Sequence, residues 1–160
     1  MKARPVKARP ARAKKKSNLD APSQIKRHAR EMVLKVLYEV ELAGLDGAEA
    51  QAVLARRLRR PEERDFALAL LNQTLENLEK IDKIIGGVAE NWDLSRMAVV
   101  DRNILRIGAA EIVFGDVPAS VAINEAIEIA KKFSTEDSGR FVNGILDKVA
   151  RLTSEIRDNL

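Results

Sequence analysis

The stretch Val121–Val149, VAINEAIEIAKKFSTEDSGRFVNGILDKV, decides the fold, because two helical patterns meet there across a short turn. In the first half Ile123, Ile127, Ala130 and Phe133 recur at helical spacing, while Glu125, Glu128, Lys131 and Lys132 fall mostly on the other side. The second half repeats the pattern with Val142, Ile145, Val149 and Leu152. Thr135 is placed to cap the second helix, with Glu136 and Asp137 in its first turn, where carboxylates meet the positive end of the helix dipole. The spacing therefore predicts a helical hairpin. Asn124 and Asn143 interrupt apolar or charged surroundings, and Gly144 lies inside a helix, where glycine costs about 1 kcal/mol relative to alanine. Close backbone packing is predicted at Gly144.

Working outward, the residues Met97, Val100, Ile104, Leu105, Ile107, Ala109, Ile112 and Val113 are apolar nearly all round a helix. That helix, started by Asp93 or Ser95 and running to Phe114, is predicted to be central, with Asp101, Arg102 and Arg106 on its more polar side. Ahead of it lies a short helix over Ile81 to Trp92. Its Gly86 and Gly87 make no phosphate loop, because the preceding strand and the following Lys and Ser or Thr are missing. Pro61, Glu62 and Glu63 start the helix before that, with Phe66, Leu70, Leu71, Thr74, Leu75 and Leu78 facing inward. The second helix covers Ala48 to Leu58 and ends in Arg56, Arg57, Arg59 and Arg60. Cations at a helix C-terminus are favoured by the macrodipole, so a nucleic-acid role for this cluster is the weaker reading.

The ordered body begins at Pro22 to Gln24, where Ser23 caps a helix that runs to Ala43 and stops at Gly44. Ile25, Ala29, Met32, Val33, Val36, Leu37 and Val40 form one apolar stripe, with Arg27, Glu31, Leu34 and Tyr38 nearly opposite. Tyr38 is predicted to face outward, on the same face as Arg27 and flanked by Lys26 and Arg30. Such a ring suits stacking on a base or packing on a protein partner; the alternative is that Tyr38 and Leu34 contact another helix of the same chain.

Composition agrees. The 160 residues are 46% hydrophobic, enough for one cored domain, and contain only four Phe, one Tyr and one Trp. Abundant Ala, Leu, Ile, Glu, Lys and Arg without strand alternation favour an all-α fold. Trp92 and the Met residues read as core or near-core packing. Residues 1–24 carry eight Lys or Arg against a single Asp, a local charge of +7 in a chain of net +4, which leaves −3 for the body. This proline-containing segment buries too little apolar surface to offset its ordering entropy and reads as a disordered basic tail preceding a folded domain over 25–155. Such an arm gains affinity for RNA or DNA by neutralising phosphates, or serves merely as a solubility or targeting extension. There is no Cys, hence no disulfide or thiolate metal site, and no apolar run long enough for a signal peptide or membrane span. The cytoplasm is the expected compartment. His28 is the only histidine, and no Ser, His and acid arrangement or metal-ligand cluster is assembled, so no enzymatic activity, cofactor or metal is expected. Carboxylates such as Glu111, Asp116, Glu136 and Asp137 are accounted for by caps and solvated faces.

The wordings VAINEAIEIAKKF and FVNGILDKVA closely resemble the C-terminal signature of the bacterial NusB transcription antitermination family, and Lys26 to Leu42 resembles that family's basic first helix. The resemblance extends from about Ile25 to Leu152. It implies a compact bundle of seven helices that binds boxA RNA and the NusE ribosomal protein, loading an antitermination complex onto RNA polymerase without turnover. Carried over by residue, it implies RNA contact by Lys26, Arg27, His28 and Arg30, with His28 standing where the family pattern has another Arg. It also implies an RNA-facing element at Arg140 and Phe141, where guanidinium and ring clamp a backbone and stack a base. Tyr38, Asp101 and Asp137 match positions of RNA or partner contact. A NusB-like domain fused to an RNA methyltransferase is set aside, since the chain to Leu160 holds no cofactor-binding sheet. From a different class, a helical protein-interaction adaptor, monomeric or dimeric through the Tyr38 face, fits the same composition, with nonspecific RNA affinity from the basic arm.

Overall fold

The structure of the chain, a computed structural model, describes residues 22–90 and 92–158, with side-chain surroundings as far as Glu155. Of the basic tail, Pro22, Ser23 and Gln24 form the first turn of a helix, and residues 1–21 lie outside the described residues. Ser23 is therefore within the helix rather than its cap.

Local chemistry sets the element boundaries. Helix α1, Pro22–Ala43, ends where Gly44 takes φ +69°, the left-handed conformation that only glycine adopts without strain, and Gly44 N–H donates to Val40 O at 3.1 Å. Asp46 caps α2, Gly47–Arg57, by accepting from Glu49 N–H at 2.8 Å. Pro61 opens α3, Pro61–Glu76, ahead of Glu62 and Glu63. Asn77 serves as both the end of α3 and the start of α4, Leu78–Val88. The fourth helix thus starts and stops earlier than the predicted Ile81 to Trp92. The fifth also differs: Asp93 caps a 3-10 turn, Leu94–Arg96, and α5 begins only at Val99 and runs to Phe114. Helices α6, Ala119–Phe133, and α7, Glu136–Asp158, form the predicted hairpin. Seven α-helices and no strand occur among the described residues.

Helix α5 is the hub, packed by α1, α3, α4, α6 and α7. From Asn103 to Ile112 every residue except Arg106 is buried, as its all-round apolar pattern requires. Burial of each large side chain such as Leu105 or Ile104 contributes about 1.5–3 kcal/mol. Helix α7 approaches α5 closely at Gly108: a Cβ there would stand 2.6 Å from Leu146 Cδ1, and Leu146 is fully buried. Gly144 is exposed with open space around it, so the tight packing predicted at Gly144 belongs to Gly108. In the hairpin Val142, Ile145 and Val149 face inward as predicted, whereas Leu152 is 36% exposed. On α1 the side opposite the main stripe is not solvent throughout, since Glu31 and Leu34 are buried and only Tyr38 emerges, 42% exposed.

The polar side of α5 is a lattice of ion pairs. Glu41, near the end of α1, receives Arg102, and also Arg106 Nη1 at 2.5 Å. Arg106 in turn grips both oxygens of Asp82 on α4 at 2.8 and 2.9 Å, and Arg102 donates to Leu94 O at 2.8 Å. The hydrogen bond from Arg102 holds the Glu41 carboxyl below the usual glutamate range, against the opposing effect of burial, and Glu41 in turn raises Arg102.

Two outcomes are expected. Gly108→Val overpacks the α5–α7 contact and lowers stability by about 1–3 kcal/mol, read as a shift in urea midpoint at unchanged slope. Because Glu41 titrates lower in the folded than in the unfolded chain, its contribution is present above the ordinary glutamate value and is lost as pH falls through the folded value. Glu41→Gln is therefore less stable at neutral pH and loses less of its stability on acidification, which denaturation at a series of pH values measures.

Candidate RNA and partner interface

The residues singled out in the sequence gather at two places, with Tyr38 apart. At the start of α1, Lys26 and Arg30 are one turn apart and both lie over the ring of Phe66 from α3, at 5.5 and 5.2 Å from its centroid. Arg27 forms a two-pronged pair with Glu125 of α6, 2.8 and 3.0 Å, and this hydrogen bonding raises its pKa. His28 hydrogen-bonds through Nδ1 to the Glu63 carboxylate of α3; a carboxylate only accepts, so that nitrogen carries the proton. Arg30 is 3% exposed and pairs in the same two-pronged way with the equally buried Glu111 of α5, at 2.6 and 2.8 Å. Arg30 does not flank an exposed face, contrary to the sequence reading. Its guanidinium is turned into the protein, toward Glu111 on the buried side of α5. Beside the pair opens a groove of about 630 Å³ with Phe66, Leu70, Phe114 and Val121 among its walls and Lys26 and Glu125 at its edge.

The second place is the start of α7. Thr135 Oγ1 accepts from Ser138 N–H at 3.1 Å, the predicted cap, and leaves Asp137 exposed in the first turn. Ser138 Oγ donates to Asp101 Oδ2 at 3.1 Å, since a carboxylate can only accept, and so ties the start of α7 to the start of α5. The other oxygen, Asp101 Oδ1, is buried with no hydrogen-bond partner. Phe141 meets Trp92 edge-to-face, centroids 5.1 Å apart and planes at 66°. Trp92 is 57% exposed and so lies outside the core, contrary to its reading as core or near-core packing. Trp92, Arg96, Met97, Asp101, Asp137 and Phe141 line a groove of about 290 Å³, with Arg140 exposed in the same turn as Phe141.

Contacts between α1 and the end of α6 join the two places. Lys132 reaches both oxygens of Glu31 at 3.0 and 3.1 Å, and Lys35 and Lys132 lie over the Phe133 ring at 5.7 and 5.4 Å. Tyr38 is further along α1, one turn before the 61% exposed Leu42. Sequence reasoning missed Trp92 and the acids that receive the basic helix. A visible signal for Glu111 was its place inside the apolar run GAAEIVF, where a carboxylate is costly to bury without a cation; caps and solvated faces do not account for it. Among the described residues no acidic or histidine cluster fits a metal ion, and no helix is long and apolar enough to cross a membrane.

The family model for the NusB family matches residues 27–151, which, Lys26 apart, takes in both places and the whole of α2 to α6. The chain belongs to the NusB family. A relative named transcription antitermination protein NusB from Pelotomaculum thermopropionicum is 43% identical over 136 residues, 82% of this chain and 93% of its own length. Among solved structures, NusB of T. maritima is 39% identical with a TM-score of 0.72, covering 79% of this chain and 90% of its own. A chain in the crystal structure of the antitermination factors NusB and NusE in complex with dsRNA has a TM-score of 0.72 at 26% identity, covering 81% of this chain and 98% of its own. The chain is thus a NusB-type transcription antitermination protein.

The buried pair makes a sharp test of how this NusB domain is held together. Glu111→Ala strands the Arg30 guanidinium and is expected to cost about 3–5 kcal/mol, whereas Arg30→Met combined with Glu111→Leu is expected to cost much less. Urea denaturation of the two variants beside the parent protein decides between a structural and a dispensable pair.

Proposed function

We propose that this chain is a non-catalytic, cytoplasmic transcription antitermination factor that binds boxA-type single-stranded RNA together with the NusE ribosomal protein. In this role it helps assemble the antitermination complex on RNA polymerase, notably for ribosomal RNA transcription. The observation that carries the reading is the contact of an exposed indole with a phenyl ring beside Arg140, a platform of π-faces and a cation of the kind that unstacked bases and their phosphates occupy. The similar chain solved with NusE and dsRNA supports the same reading.

Roles divide according to what each group has left to offer. Lys26 presents its ammonium to phosphate, while Arg27 and His28 contact RNA through the edges not taken by Glu125 and Glu63. Arg30, buried on Glu111, acts as a positioning residue that fixes α1 beneath them. Arg140 clamps the backbone and Phe141 stacks a base. Tyr38, Asp101 and Asp137 face the protein partner. The basic tail adds affinity for any RNA through counterion release. The exposed Tyr38 and Leu42, one turn apart, favour a second reading, a helical adaptor that is dimeric through this face and holds RNA nonspecifically.

Fluorescence anisotropy with a boxA-like single-stranded RNA and its scrambled control, with and without NusE, separates the two. Preference for the boxA-like strand that NusE strengthens supports the antitermination reading; equal binding to both with no partner effect replaces it with the adaptor. In the same assay Phe141→Ala is expected to weaken boxA-like RNA by about 1–3 kcal/mol, the usual worth of one stacked base. Tyr38→Ala is expected to lower affinity for NusE while leaving RNA binding by the isolated protein unchanged.

A further inference from the structure

The α2–α3 corner carries Arg56, Arg57, Arg59 and Arg60 within five residues. The helix dipole accounts for only half of them. Arg56 and Arg57 sit in the last turn of α2, but Leu58 is already extended, and Arg60 stands at the cap position of α3, where a cation meets the positive end of a dipole. Glu62 and Glu63 follow in the first turn of α3, yet the Glu63 carboxylate is 7% exposed and engaged by His28.

The fold brings this corner to the start of α1. Arg57, Arg59 and Arg60 share a groove of about 220 Å³ with Leu58, Glu63 and, from the start of α1, Ile25 and His28. Leu58, 2% exposed, anchors the corner in the core, so the arginines on either side are presented on a fixed turn. Arg57 reaches Glu39 at 2.6 Å, but both side chains are more than a third exposed, and such a pair is readily exchanged for a stronger acceptor. Among the described residues, the only carboxylate lining the groove is the one His28 engages.

We propose that the α2–α3 corner is a second phosphate-binding stretch for single-stranded RNA, continuing the track from the start of α1 and holding nucleotides that flank the recognised element without reading their sequence. The proposal rests on the RNA-binding function above. Guanidinium groups suit it because each forms two parallel hydrogen bonds to a phosphate.

Anisotropy titrations over a range of salt, with the boxA-like element alone and the same element carrying unrelated single-stranded flanks, test it. The variants are the exposed Arg59→Gln, the double Arg57→Gln with Arg59→Gln, and a charge control on α4, Lys80→Gln with Lys83→Gln; thermal unfolding establishes that each is folded. Flanks should tighten binding of the parent protein, and the corner variants should lose that gain, with the slope of log K against log salt falling by about 0.7 for each phosphate no longer neutralised. Binding of the bare element and the α4 control should be unchanged. Equal loss on bare and flanked RNA, an equal effect of the α4 control, or no benefit from the flanks in the parent protein would overturn the proposal. A scrambled element bound as well as the boxA-like one would instead count against the antitermination reading, while the effect of the flanks would still be read independently.

Discussion

The salt bridge of Arg30 with Glu111 is the constraint on which the arrangement of α1 depends. Two charges taken out of water must satisfy each other, and the two-pronged geometry does so only when the start of α1 and the end of α5 are in one register. Once that register is set, Arg27 falls against Glu125 on α6 and His28 against Glu63 on α3. Successive cations of one helix thereby tie it to three others. The apolar stripe supplies the driving force for burial, but it is nonspecific in register; the charges select among the ways in which the stripe could be covered.

A helix that reads as basic therefore presents less positive charge than its composition suggests. Three of its five basic side chains are answered by carboxylates, while the described contacts of Lys26 and Lys35 are the ring faces of Phe66 and Phe133. Attraction for polyanions then rests more on exposed cations elsewhere, such as Arg59 between α2 and α3 and Arg140 near the start of α7. Counting charge along a segment measures what the unfolded chain carries; the field outside the folded protein is set by what remains after pairing.

Local features were legible. The period of the apolar residues, Gly44, Pro61 and the Thr135 cap mark helices and turns through interactions between near neighbours, and the all-round apolar α5 could only be central. The sites were less so, because what decides them is distant in the chain. Arg30 and Glu111 are 81 positions apart and Arg27 and Glu125 are 98 apart, and no periodicity relates them. Glycine shows the same divide: Gly144 and Gly108 both lie within helices, and only the approach of Leu146 from another helix makes Gly108 the crowded one. Trp92 reads as core or near-core packing, but it follows the end of α4, where the chain has left the core, and it rests on Phe141 instead.

Helix α5 carries Glu111 toward one end and Asp101 toward the other, so it holds the anchor of the α1 surface and the anchor of the α7 surface on one rod. Ten residues of α-helix span roughly 15 Å. With Gly108 locked against Leu146 in between, that spacing does not adapt to what binds. The bundle is in this respect a gauge: a ligand engaging both ends is sorted by its contour length before any base or side chain is compared, and a single residue inserted into α5 would turn one surface about 100° away from the other.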